Sequence, residues 1–384
     1  MKKIAVVTGT RAEYGLLKPV IKHICEDNSL KLCLIVTGMH LSEKYGSTYK
    51  EIECDGFKID YKVNMNLDDN SAYGITCAMS REMIGMADVF AEERPDMLVL
   101  LGDRYETYVA AITAMMFEIP ITHIHGGELT EGAVDDSIRH AITKMSMLHF
   151  TSTEDYSRRV IQMGEAPERV FNVGALGVEN IENIKLYTRA ELCDIYKTNI
   201  FSDKYLMITY HPVTHESGLA RKQFSDLLMA LSELKDYKLI FTYANADVEG
   251  KVINEMIEKY IEDNPDKACA YVSMGQKGYL SALKYCSAVI GNSSSGIIEA
   301  PSFNIPTINI GHRQDGRVKA DTVIDCENDK ESISFTIKKA LSSTNCKSSI
   351  NPYKGKNTSE NIVNIIKKYM SGGRNCKKTF YDII

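Results

Sequence analysis

The chain has 384 residues, 44% of them hydrophobic and 25% charged, the balance of a folded globular protein of roughly two domains. That excludes a disordered tail, a collagen-like chain and a small disulfide scaffold. Lys+Arg 45 against Asp+Glu 51 leaves a formal charge of −6, so no overall basic field draws in nucleic acid or an anionic membrane. An anionic ligand must then be held by a few placed groups.

Short apolar runs recur along the chain, each followed by a helical pattern. Ile4–Val7 precedes a stretch in which Leu17, Ile21 and Ile24 share a face; further runs are Leu32–Val36, Met97–Leu101, Ile119–Ile124, Leu148–Phe150 and Val170–Val173. After a polar interval around Lys185–Lys204 the rhythm resumes with Tyr205–Tyr210, Lys238–Tyr243, Ala270–Ser273, Ala288–Ile290 and Thr307–Ile310. Strands alternating with helices imply parallel sheets covered on both faces. The expected organisation is two doubly wound α/β domains, residues 1–185 and 200–355, with 356–384 carrying a last helix near Ser359–Met370 that packs back on the first domain. Ten cysteines are scattered without C-x-x-C spacing, which reads as reduced core thiols. The first apolar run is too short for a signal-peptide core, and no stretch approaches the ~18 apolar residues of a membrane span. A cytoplasmic protein is expected.

In open α/β sheets ligands bind beyond the carboxyl ends of the strands, and the polar residues of this chain concentrate there. Thr8-Gly9-Thr10-Arg11 closes the first run, Thr37-Gly38-Met39-His40 the second and Gly102-Asp103-Arg104 the Met97 run. His123, His125, Gly126, Gly127 and Glu128 follow the Ile119 run. The second half offers His211-Pro212, Asn245 and Gly291-Asn292-Ser293-Ser294-Ser295-Gly296. These ends are expected to face one interdomain cleft.

The Gly291–Gly296 loop precedes a helix expected to start near Ser295. Its backbone N–H groups, the helix N-terminus and the Ser293 and Ser294 hydroxyls suit a diphosphate. A structural Gly/Ser turn is the alternative, because the P-loop pattern is missing. Arg11 and Arg313 would bracket such an anion. Glu299, a turn into the helix, suits a ribose diol or simply solvent, and His211 suits phosphate, a sugar hydroxyl or its own loop. Asp103, Asp135, Asp136, His125, Glu128 and His140 form the titratable group of the first domain, fit for proton abstraction and delivery where burial tunes them. Asp135-Asp136-Ser137 also reads as a capped helix N-terminus, which accounts for one aspartate and not both. His123 and His125 alternate onto one strand face as a metal pair would, but no further ligands fall at suggestive spacing.

Eight motifs occur in order: Thr8-Gly9-Thr10-Arg11-Ala12-Glu13-Tyr14, Val36-Thr37-Gly38-Met39-His40, Gly102-Asp103-Arg104, His125-Gly126-Gly127-Glu128, Asp135-Asp136-Ser137-Ile138-Arg139-His140, His211-Pro212-Val213-Thr214, Gly291-Asn292-Ser293-Ser294 and Arg313-Gln314. Together they resemble the hydrolysing UDP-N-acetylglucosamine 2-epimerases of bacterial sialic acid biosynthesis, the NeuC type. Each motif alone is weak; eight in sequence are specific, and they span nearly the whole chain. The resemblance implies the GT-B architecture, two Rossmann-like domains with an interdomain active site. It also implies conversion of UDP-GlcNAc and water to N-acetylmannosamine and UDP through a 2-acetamidoglucal, for capsule or sialic acid synthesis.

Residue by residue, the resemblance assigns diphosphate binding to Arg11, His211, Ser293, Ser294 and Arg313, and ribose binding to Glu299. Asn245 matches a position in the nucleotide half of the cleft. Asp103 and Asp135 match catalytic carboxylates. Many members read H-I-E-G-G-E where this chain has His123-Ile124-His125-Gly126-Gly127-Glu128, so His125 replaces a catalytic glutamate. The expected proton-transfer pair is Asp103 and Asp135, with His125 in support and Glu128 in reserve. Neither metal nor nicotinamide cofactor is implied, and the partners implied are a UDP-sugar and one or three further copies of the chain, a homodimer or homotetramer. The alternatives are the same reaction on a 2,4-diacetamido-6-deoxy sugar nucleotide of the legionaminic acid pathway, a non-hydrolysing epimerase, a GT-B glycosyltransferase and a non-catalytic nucleotide-sugar sensor.

Overall fold

The computed structural model describes residues 1–69, 71–130, 134–213, 218–244, 248–342, 350–372 and 377–383. Its strands are β1 (Lys2–Thr8), β2 (Leu30–Val36), β3 (Tyr61–Lys62), β4 (Met97–Leu101), β5 (Ile121–Ile124), β6 (Leu148–Thr151) and β7 (Val170–Asn172), then β8 (Tyr205–Thr209), β9 (Lys238–Thr242), β10 (Ala268–Tyr271), β11 (Ala288–Gly291), β12 (Thr307–Ile310) and β13 (Val323–Cys326). They form two parallel sheets, ordered β3-β2-β1-β4-β5-β6-β7 and β10-β9-β8-β11-β12-β13. The protein is α/β, doubly wound twice.

Successive side chains of a strand point to opposite faces, and the cores follow that rule. Ile4 and Val6 of β1 join Leu17, Ile21 and Ile24 on one face, while Ala5 and Val7 join Met86, Phe90, Ala110 and Ala114 on the other. The second sheet repeats the pattern, with Leu206 and Ile208 in one cluster and Tyr205 and Met207 in another. Two faces of burial are what make parallel strands read as continuous apolar runs. One compact unit comprises Met1–Glu128, Ala133–Asn180 and Gly355–Ile384, and the other is built on Ile181–Lys354. In the first, the Thr358–Ser371 helix buries Ile362, Val363, Ile366 and Met370 in the same core as Leu17 and Ile21.

Several details differ from the sequence reading. β3 and β13 carry no apolar run long enough to announce them; both are edge strands and only partly buried. The Ile119 run starts its strand at Ile121, because Pro120 has no N–H and supplies only its carbonyl, to Leu98. Among the described cysteines, all free, Cys33 and Cys286 are buried while Cys25 and Cys54 are exposed, so the thiols are not uniformly core residues. No helix among the described residues is long and apolar enough to cross a membrane.

Candidate active site

Each sheet reverses its strand order once, and that is where doubly wound sheets bind ligands. In the first unit the reversal lies at β1 and β4, whose ends release the Thr8–Arg11 loop and Asp103. In the second it lies at β8 and β11, which release His211 and the Gly291–Gly296 loop.

Arg139 organises the first unit's site. It lies in the Val134–Met145 helix with its side chain only 3% exposed. The guanidinium forms an ion pair with Asp103, a second at 3.2 Å with Asp136, and a 2.8 Å hydrogen bond to the Glu128 carbonyl. One cation therefore ties the end of β4, the first turn of the helix and the loop after β5. A planar fork of five donors suits this, and a point-charge ammonium does not.

The helix starts at Val134, so Asp135 and Asp136 both lie inside its first turn, where acids are favoured. The expected cap role for one of them is not seen. Asp136 also faces His140 at 3.4 Å, and burial, partly offset by that carboxylate, lowers the His140 pKa. Asp135 reaches solvent, yet its pKa is raised, first by partial desolvation against the surrounding protein and then by the charge of nearby Asp103.

His123 and His125 do not share a strand face. β5 ends at Ile124, and His125 follows in the left-handed region at φ +66, a conformation that costs a non-glycine residue about 1–2 kcal/mol. His125 Nδ1 sits 3.6 Å from Glu128 Oε1, and Glu128, 5% exposed, accepts the Ser152 hydroxyl at 2.9 Å. His123 is fully buried, and desolvation drops its pKa to about 3. Its Nε2–H donates to the Gly102 carbonyl at 2.8 Å, which leaves Nδ1 to accept from Thr143 Oγ1 at 3.1 Å. Both ring nitrogens are thereby occupied, and a metal role is not supported at this histidine.

Arg11 opens the Arg11–Glu26 helix, half exposed and paired with Glu51 at 2.9 Å. The loop before it is fixed by Glu13, whose Oε2 accepts from the N–H groups of Gly9 at 2.8 Å and Thr10 at 3.1 Å. Burial, reinforced by Glu106, raises the Glu13 pKa to about 7 against the pull of Arg104.

In the second unit Gly291 runs at φ +137, and a Cβ there would collide with the Thr209 carbonyl. Only glycine lets the two strands approach this closely. Next comes Asn292, 1% exposed, whose side chain accepts from the His211 N–H and donates to the His211 carbonyl, both at 2.7 Å. Its own carbonyl accepts from Arg313 and from Gln314, each at 2.9 Å. A single asparagine thus holds the β8 and β12 loops against the β11 loop.

His211 Nδ1 and Gln314 Oε1 are buried with no hydrogen-bond partner among the described residues. Both residues are held against the Asn292 loop, His211 by the Asn292 side chain and Gln314 by the Asn292 carbonyl. Burial, with the Arg313 charge second, brings the His211 pKa down to about 4.

Ser293 caps a helix of five residues, Ser294–Ile298, accepting from the Ser295 N–H at 3.4 Å, which leaves its hydroxyl hydrogen to donate. The helix ends at Ile298, three residues before Pro301, so Glu299 is its C-cap and does not lie a turn inside. The Glu299 carboxyl accepts from the Ser295 hydroxyl; desolvation raises its pKa and that hydrogen bond moderates the rise. Asn245 lies outside the described residues.

The structure gathers Asp103, Asp135, Asp136, His125, Glu128 and His140 around Arg139, and His211, Ser293, Ser294 and Arg313 around Asn292. Neither organising residue is singled out by the sequence reading. The one usable signal is spacing, since Arg139 stands three and four residues after the paired aspartates on one helix face.

Comparisons with known proteins bear on the family and the fold. A family model described as UDP-N-acetylglucosamine 2-epimerase matches residues 22–367. A protein of Campylobacter jejuni named GDP/UDP-N,N'-diacetylbacillosamine 2-epimerase (hydrolyzing) is 44% identical, covering 85% of this chain and 84% of that one. The Escherichia coli polysialic acid biosynthesis protein P7 is 41% identical, covering 100% and 98%. Among solved structures, the S. aureus MnaA–UDP co-structure superposes with a TM-score of 0.80 at 21% identity over 100% of both chains, which establishes a shared GT-B-like fold. With its motifs, its two parallel sheets and these relatives in agreement, the chain belongs to the UDP-N-acetylglucosamine 2-epimerase family.

Proposed function

We propose that the protein is a hydrolysing 2-epimerase that converts UDP-GlcNAc and water to N-acetylmannosamine and UDP. The observation that carries this reading is the pair of carboxyls, Asp103 and Asp135, set beside one buried arginine. Inverting a carbon that carries hydrogen requires one group to remove the proton and another to deliver one to the opposite face. A pair of carboxyls with unequal surroundings suits that task.

In the first step the C2–H bond breaks, its electron pair forms the C1=C2 double bond, and the C1–O bond to UDP breaks. The product is 2-acetamidoglucal. Water then adds, its hydroxyl to C1 and a proton to C2 on the other face. Asp103 and Asp135 are the proton-transfer pair; Asp135, with its raised pKa, is the better carrier of the proton to be delivered. Arg139 fixes Asp103, and His125 with Glu128 lines the same loop. Arg11, His211, Ser293, Ser294 and Arg313 bind the diphosphate, Glu299 the ribose, and Asn245 the nucleotide.

A second reading is favoured by the name of the C. jejuni relative, namely the same elimination and hydration on a UDP-2,4-diacetamido-6-deoxy sugar. Both sugars keep the C2 hydrogen and the 2-acetamido group on which the chemistry depends. Incubation with each UDP-sugar separately, without acceptor, tests both readings. Release of UDP together with the free 2-epimerised sugar supports the reaction, and the preferred sugar decides between them. A UDP-linked epimer with no free UDP would point to the non-hydrolysing reaction, and turnover only with added acceptor to a glycosyltransferase.

A further inference from the structure

We propose that Lys378, in the C-terminal tail, is a positioning residue for the reaction, clamping the far end of the helix whose first turn carries Asp135 and Asp136. The last carbonyls of an α-helix have no partner inside it, and a cation placed there is favoured by the helix dipole. Lys378 Nζ donates to the carbonyls of Lys144 at 2.7 Å, Ser146 at 2.8 Å and Thr143 at 3.4 Å, which end the Val134–Met145 helix.

The clamp is anchored by Glu165, only 1% exposed. Its Oε2 pairs with Lys378 at 2.6 Å and with His149 Nε2 of β6 at 2.9 Å, and its Oε1 takes Lys144 of the same helix at 2.7 Å. Burial alone would raise this carboxyl, but the hydrogen bonds from His149, Lys144 and Lys378 outweigh it and bring its pKa down to about 2. The tail has further seats. The Tyr381 N–H donates to the Gly164 carbonyl at 2.9 Å. The Phe380 ring lies where a Cβ on Gly164 would collide with it, and the Lys144 ammonium stands 4.9 Å from the ring centroid.

A short path leads from the clamp to the chemistry. Thr143, whose carbonyl Lys378 holds, gives its hydroxyl to His123 Nδ1, and His123 Nε2–H holds the Gly102 carbonyl one residue before Asp103. The helix of 12 residues is about 18 Å long and rigid, so its two ends move together. Residues along such a contiguous network change coupling without touching substrate.

The inference rests on the proton-transfer roles proposed above. It is tested in the full chain with Lys378→Met, which keeps the length and removes the charge, and with Lys378→Arg, which keeps the donors. Lys378→Met is expected to lower kcat by about threefold to thirtyfold with UDP affinity unchanged, to speed hydrogen exchange at Thr143–Ser146, and to be largely rescued by the arginine. Unchanged kcat in Lys378→Met overturns the proposal, and so does a parallel loss of UDP affinity, which would report a general loss of fold. If the unaltered chain turns over neither UDP-sugar, the reaction assignment falls instead. Hydrogen exchange then decides the clamp alone, unchanged exchange overturning it.

Discussion

The buried guanidinium of Arg139 closes an ion pair with Asp103, 36 positions away in sequence, and the first unit's site is built around that contact. Removing the arginine takes the ion pair from Asp103 and one hydrogen bond from the Glu128 carbonyl. Arg139→Met should lower turnover by ~10²-fold or more and destabilise the fold by about 1.5–3 kcal/mol. Arg139→Lys should rescue only part, because a compact ammonium lacks the planar fork that reaches Asp103, Asp136 and the Glu128 carbonyl from one side chain. Turnover and denaturant melts of both variants check this; near-normal turnover in the methionine variant would show that Asp103 needs no fixed partner.

Asparagine at Asp103 or at Asp135 keeps the shape and removes the proton-carrying group. Each should slow turnover by at least ~10²-fold, the scale of general acid–base groups, while UDP still binds. His125→Gln should cost less, since His125 lies on the loop beside Glu128 and supports the pair without carrying the proton. A histidine variant as slow as either aspartate variant, with both aspartates dispensable, would reverse the assignment.

The second unit should govern nucleotide affinity. With the ribose contact proposed for Glu299, Glu299→Ala should remove a charge-assisted bond worth about 1.5–3 kcal/mol, or roughly tenfold to hundredfold in affinity. Asn292→Ala should weaken UDP similarly, because it removes both side-chain hydrogen bonds that hold the His211 backbone. Calorimetry with UDP alone separates these effects from chemistry. Unchanged UDP affinity in both variants would place the nucleotide elsewhere.

Stability should depend on pH from both sides. For His123, His40 and His211 the folded pKa is depressed, to about 3, 4 and 4 respectively. The unfolded chain therefore takes up protons that the native state refuses, and stability is lost as pH falls from ~6.5 toward 4. Glu13 acts oppositely. Its folded pKa is raised to about 7, so the native state holds a proton that the unfolded chain releases, and stability is lost as pH rises from ~4.5 through 7. Glu13→Gln, which mimics the protonated acid, should raise Tm relative to the unaltered protein at pH 8 and change it little at pH 5. An equal effect at both pH values would contradict the raised pKa.

The fold is readable from the chain because both faces of each sheet are covered. Strands such as β4 in the first sheet and the central β8 in the second must then be apolar throughout and stand out as runs. Two of the four edge strands escape notice: Tyr61–Lys62 has two residues, and Val323–Cys326 has no fully buried one. Within the candidate site, Asp103 and the Gly291–Ser294 loop are legible because they directly follow strands. Arg139 and Asn292 are not, since what distinguishes them is burial and reach. A helical arginine and a loop asparagine look like surface residues until the packing shows three acceptors around one and two loops hanging on the other. His125 shows the opposite limit: alternation along β5 places it on the His123 face, but the strand ends one residue earlier and the backbone turns left-handed.

The proposed elimination and hydration are read out together by running the reaction in heavy water, with UDP-GlcNAc and the UDP-2,4-diacetamido-6-deoxy sugar as separate substrates, no acceptor, and products followed by NMR. Equal amounts of UDP and free 2-epimerised sugar are expected from at least one of them, with one deuterium at C2. A UDP-linked epimer without free UDP, or UDP released with the original C2 configuration and no deuterium, would contradict the proposed reaction.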